Sequence, residues 1–116
     1  PFDAALCLLV MHFIDTTAAQ QQFLHQAAAQ LAAGAPLLLC DLMQGHDIER
    51  TAMVHYAIGQ GLPESQGEAL RRRLQAEFFA LSEAELTRLA QQAGFRQPEV
   101  YFRALGFAAF VLLKTE

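Results

Sequence analysis

The stretch ALCLLVMHFIDTTAAQQQFLHQAAAQLAAGAPLLLCDLM, residues 5–43, holds two unbroken apolar runs separated by one amphipathic segment. Leu6 to Met11 and Leu37 to Leu39 carry no alternation, which suits strands covered on both faces, as in a parallel sheet flanked by helices. Between them Asp15, Thr16 and Thr17 offer N-cap oxygens, and Phe23, Leu24, Ala27, Ala28 and Leu31 recur at helical spacing. This spacing predicts a helix of about five turns, closed at Gly34 by a left-handed cap. Strand, helix, strand over this length is a βαβ unit with parallel strands and a right-handed crossover. An interior strand is a poor place for a chain to begin, so a segment is expected upstream and Pro1 reads as a truncation point.

Outward from this unit, residues 44–81 loosen into Gly, Pro and short helical patterns, with Met53, Tyr56, Ala57, Leu70, Leu74 and Phe78 as candidate buried faces. An insertion of that size reads as a lid or binding element. Order returns in SEAELTRLAQQAGF, residues 82–95, where Ser82 and Glu85 form a capping box, Leu86, Leu89, Ala90 and Ala93 an apolar stripe, and Gly94 the stop. The tail PEVYFRALGFAAFVLLKTE predicts two antiparallel strands bent at Gly106, with Val100 and Phe102 on one face and Tyr101 and Arg103 on the other. The expected order is β, α, β, lid helices, α, β, β.

The 116 residues form one domain, 53% hydrophobic and 17% charged, long enough to bury about 65% of the unfolded chain's surface. A formal charge of -4 excludes a general nucleic-acid binder, which needs surplus Lys and Arg. The longest apolar runs are about half of what a bilayer requires, so the chain reads as cytosolic, cytoplasmic and soluble, with no membrane partner. Cys7 and Cys40 each lie in an apolar run with no CxxC neighbour, and read as buried free thiols.

Taken in order, these segments resemble the C-terminal half of a class I S-adenosylmethionine-dependent methyltransferase of the bacterial small-molecule type. FDAALCLLVMHF matches that family's fourth strand, LAAGAPLLLCDLM leads into the fifth, SEAELTRLAQQAGF precedes the sixth, and VYFRALGFAAFVLLK is the closing hairpin. Where such enzymes carry a Gly-Gly pair this chain has Gly34 and Ala35. The resemblance implies an α/β fold, the C-terminal half of a Rossmann-like methyltransferase domain, with parallel strands, a terminal antiparallel hairpin and helices on the faces. It also implies that the Gly-rich cofactor turn and its acidic partner lie upstream. GQGLPE, residues 59–64, does not replace them, because Glu64 stands where the dinucleotide fingerprint needs its third glycine.

The resemblance places Leu9, Val10, Met11 and His12 beside the methionine end of S-adenosylmethionine, since ligands sit at the carboxyl ends of such strands where strand order reverses. His12 can then serve as cofactor contact or base, or simply pack; Asp41 can orient His12 or the acceptor, or bond nearby backbone. Methyl transfer asks mainly for in-line alignment, with a base where the acceptor must lose a proton. Met43, His46, His55 and Tyr56 are candidates for the acceptor pocket, as are Phe79 and Phe107, which could close over an apolar acceptor; Phe78 and Phe110 read as core. The histidines His12, His25, His46 and His55 lack the spacing of a metal site, so no metal is expected. Arg71, Arg72 and Arg73 read as a solvated helix face, or as recognition of an acidic substrate.

The expected activity is therefore methyl transfer to a small-molecule substrate, with the isolated chain inactive for want of its upstream half. The rival is a noncatalytic α/β module that forms a homo-oligomer through the edge of its first strand. A different nucleotide-binding α/β enzyme is disfavoured by the missing phosphate loop.

Overall fold

A computed structural model describes residues 1–76 and 78–116 of the chain. The elements are β1 (Ala5–Leu8), α1 (Thr17–Gln30), β2 (Pro36–Leu42), α2 (Asp47–Gly59), α3 (Gly67–Ala76), α4 (Glu83–Ala93), β3 (Glu99–Ala104) and β4 (Phe107–Leu113), with short 3₁₀ turns at Met11–Phe13 and Glu64–Gln66. This is the order predicted, in an α/β fold whose single described sheet runs β1-β2-β4-β3. β1 and β2 are parallel, while β4 runs antiparallel to both β2 and β3.

Register divides the sheet into two faces. Cys7 pairs with Leu39, which pairs with Phe110, and Leu37 pairs with Leu112. These side chains join Leu24, Ala28, Leu31, Leu86, Leu89, Ala90 and Phe95 in one buried cluster under α1 and α4. The opposite face is thinly covered: Leu6 is 68% and Leu8 56% exposed, and Leu38, Cys40 and Val111 are half-buried. Within residues 1–116 one face of β1 is covered. Both cysteines are free thiols; Cys7 is buried, and its pKa is pushed up to about 11 mainly by desolvation, whereas Cys40 is half-buried.

Four further expectations shift. α1 stops at Gln30, four residues short of Gly34, because Leu31 turns extended and bridges Phe2, whose N–H donates to the Gln30 carbonyl at 2.8 Å. The N-cap is Thr16, whose hydroxyl accepts from Ala19 N–H. In β3 a bulge between Val100 and Phe102 pairs them with Phe110 and Ala109, so they lie on opposite faces rather than one. On α2 the buried residue is Val54, while Tyr56 is exposed. Arg71 is half-buried and donates to the Thr51 hydroxyl, linking α3 to α2 rather than only facing solvent.

α4 carries the predicted capping box, with Glu85 N–H donating to the Ser82 hydroxyl at 3.1 Å, and ends at Gly94 with φ 102°. α2 and α3 form a hairpin that packs chiefly on itself. Its closest approach is at Gly67, where a Cβ would stand 3.1 Å from Ile58 Cδ1 and 3.3 Å from Val54 Cγ1. The molecule is correspondingly elongated, with a radius of gyration of 15.5 Å against about 13 to 14 Å for a compact domain of this length.

Candidate functional site

The carboxyl ends of β1 and β2 bring His12 and Asp41 together. β1 ends at Leu8, earlier than the apolar run suggests, because Leu9 adopts φ 61° and directs the chain into the 3₁₀ turn. A left-handed leucine costs about 1–2 kcal/mol, and Leu9 N–H is held by the Cys40 carbonyl at 2.8 Å. Leu9 and Val10 stay exposed, whereas Met11 is buried and anchors the turn. His12 follows, 4% exposed, as is Asp41.

The His12 Nδ1 and Asp41 Oδ1 are directly hydrogen-bonded, His12 N–H donates to the same Oδ1 at 3.3 Å, and the Leu42 backbone N–H also donates to the Asp41 carboxyl. Burial raises the Asp41 pKa from its ordinary value, and the imidazole, with the bonds it donates, opposes that rise. The pair is sealed by aromatic rings: Phe13 lies 4.5 Å from the imidazole centroid, and Phe78 meets it edge-on at 5.1 Å. Phe79 N–H donates to the His12 carbonyl at 2.8 Å, and Gln20 Nε2 donates to the carbonyls of Phe79 and Ile14 at 3.0 and 3.3 Å. Phe78 and Phe79 are thereby tied across the histidine.

On the other side of Phe78 lies a cavity of about 290 Å³, whose walls include Met43, Met53, Leu74, Phe78 and Leu105. A wider cleft of about 640 Å³ continues past His46, Phe107 and Arg103. The two share Met43, Gln44, Gly45, Glu49, Leu105 and Gly106. Glu49 Oε1 accepts from His46 N–H at 3.1 Å, and Arg103 holds Glu83 through two 2.7 Å bonds on the outer rim. Of the residues expected around an acceptor, Met43, His46 and Phe107 line this cleft. Phe79 lines a separate small cavity beside α1, and His55 and Tyr56 are exposed on α2, lining none of the cavities described. His12 lines neither cavity; Phe78 separates it from the first.

Glu49, Met53, Leu74, Leu105 and Gly106 were not among the expected site residues. A signal exists for three of them: Glu49 stands three residues after His46 as a helix-start partner, and Leu105-Gly106 occupies a hairpin position that favours Asn-Gly. Among the described residues no His, Cys, Asp and Glu group has metal-binding geometry, and no helix is long and apolar enough to cross a membrane.

No protein family and no curated protein matches this sequence. Solved structures do match its fold. The human N-acetylserotonin methyltransferase in complex with SAM is 16% identical over 98% of this chain and 30% of its own, with a TM-score of 0.64. An O-methyltransferase family 2 protein from Planctomyces limnophilus in complex with apigenin is 19% identical over 99% of this chain and 31% of its own, at 0.66. PigF with SAH gives 16% identity, 97% and 30% coverage, and 0.63. The chain spans about a third of the length of these proteins, and its fold is that of the C-terminal part of S-adenosylmethionine-dependent methyltransferases.

Proposed function

We propose that this chain is the C-terminal part of a cytoplasmic S-adenosylmethionine-dependent methyltransferase domain acting on a small-molecule acceptor. The observation that supports this reading is the sheet order β1-β2-β4-β3 with β4 reversed, together with a lined cleft between the carboxyl end of β2 and the β3–β4 turn. In this reading residues 1–116 belong to one domain and residues 44–81 form its lid; residue 77, inside that segment, lies outside the described residues.

Leu9, Val10, Met11 and His12 would border the cofactor. Backbone carbonyls there could accept from the amino group of the cofactor's methionine portion, a role that does not depend on side chain, and Leu9 and Val10 are exposed. When bound, the cofactor supplies an electrophilic methyl on a sulfonium. The acceptor would occupy the cleft, against Met43, His46 and Phe107. His12 would take the acceptor's proton while Asp41 fixes the imidazole, a task that requires Phe78 to move aside. His55, Tyr56 and Phe79 could reach the acceptor only if the α2–α3 lid and the strap after it rearrange. The isolated chain would be inactive, because the Gly-rich cofactor turn is not among its residues.

The test is calorimetric titration of S-adenosylhomocysteine into this chain and into a form extended with the residues encoded upstream. Saturable binding by the extended form supports the reading. Binding by neither removes it, together with the roles given to His12 and Asp41.

The second reading, assembly through the sheet edge, is favoured by Leu6 and Leu8, apolar and exposed on a strand with one neighbour. The isolated chain is expected to self-associate at micromolar concentration. A strictly monomeric sedimentation profile would count against it.

A further inference from the structure

The β3–β4 hairpin closes through a two-residue turn, with Ala104 paired to Phe107. Both turn residues have positive φ, 52° at Leu105 and 90° at Gly106, the pattern of a type I′ turn. Gly106 meets that demand without strain, and its carbonyl accepts from Met43 N–H at 2.9 Å, fixing the turn to the end of β2. Leu105 does not suit its position: a β-carbon there is disfavoured, and Asn, Asp or Gly would fit better. The hydrophobic core does not explain the leucine, which lies outside the buried cluster and is only half-buried. Its surroundings do, because Leu105 lines both cavities at the carboxyl end of β2.

We propose that Leu105 is a specificity-determining residue, which presents an apolar side chain to a small planar apolar ligand in the cleft. The proposal rests on reading that cleft as the acceptor site. The apolar part of its walls suits such a ligand, since Phe78 supplies an aromatic ring and Met43 and Met53 adaptable thioethers, while Gln44, Arg50 and Gln75 make the rest of the lining polar; about 290 Å³ holds a bicyclic molecule. Glu49, on the same wall, offers a carboxylate to a hydroxyl at the ligand's edge. The strain at Leu105 is local, and the residue bears on the ligand rather than on the fold.

The test uses 2-naphthol as probe, titrated by its fluorescence into the full-length protein and into Leu105→Asn and Leu105→Met. Leu105→Asn relaxes the turn and is expected to raise Tm by about 2–5 °C while weakening 2-naphthol at least about fivefold. Leu105→Met keeps apolar reach and is expected to hold affinity within about twofold. No saturable binding to the wild type, or equal affinity in Leu105→Asn, overturns the assignment. S-adenosylhomocysteine affinity is measured on the same proteins and is expected to be equal in all of them. Naphthol binding that depends on Leu105 without S-adenosylhomocysteine binding keeps the assignment and removes the methyltransferase reading.

Discussion

α4 and the α2–α3 hairpin are both built from short helices, yet they are held in opposite ways. α4 is capped at both ends and buries Leu86, Leu89, Ala90 and Ala93 against the sheet and α1. The hairpin buries Val54 and Gly67, and nearly all its packing is internal. A helix with a small buried face gains little from packing, so the hairpin is expected to be less firmly held than α4. It also forms one wall of the cleft, through Met53 and Leu74. The molecule thus separates a layer buried against the sheet from a hairpin that packs mainly on itself.

The largest effect that can break this contrast lies in the layer buried against the sheet. Leu89→Ala, at a site 1% exposed, is expected to cost about 2–5 kcal/mol. Val54→Ala in the hairpin should cost only about 1–2 kcal/mol. Urea unfolding of the two variants checks both values, and equal losses would mean that the hairpin is as firmly packed as α4.

The next effect sharpens the contrast at the boundary between the layers. Asp41→Asn leaves His12 with a weaker partner and should cost about 1–3 kcal/mol near pH 4. Because burial raises the Asp41 pKa above its usual 3.8, the folded state keeps this proton to higher pH than the unfolded chain does. The stabilisation from that proton is full below the unfolded value and declines as pH rises through the folded one. The stability gap between wild type and Asp41→Asn should therefore narrow from about pH 4 upward, measured by urea unfolding at a series of pH values. A gap that widens with pH would mean that Asp41 is ionised throughout.

The legible parts of the fold were those governed by local rules. Ser82, Glu85 and Gly94 placed α4 because caps act within a few residues of their helix. The β4 run and Gly106 placed the hairpin for the same reason. Gly34 misled because the same residue type serves a helix cap or an ordinary turn, and the bridge between Phe2 and Leu31 decided between them. The β3 bulge was illegible because alternation assumes an uninterrupted register.

The candidate site was legible in part. His12 and Asp41 could be picked out because each ends an apolar run, where a polar side chain reaches the strand's carboxyl end. Their direct contact depends on the parallel register of β1 and β2, which pairs Leu8 with Cys40 and so brings the following residues level. The cleft was harder to find, since Glu49, Leu105 and Gly106 come from segments separated by more than fifty residues in the chain.

By itself, then, the sequence determined the order and kind of the elements, because periodicity and capping are local properties of the chain. Tertiary structure alone decided that Phe78 both packs on His12 and lines the cleft, and that a strained Leu105 lines it. Each of these depends on which distant side chains a folded sheet brings into contact, and no local pattern encodes that.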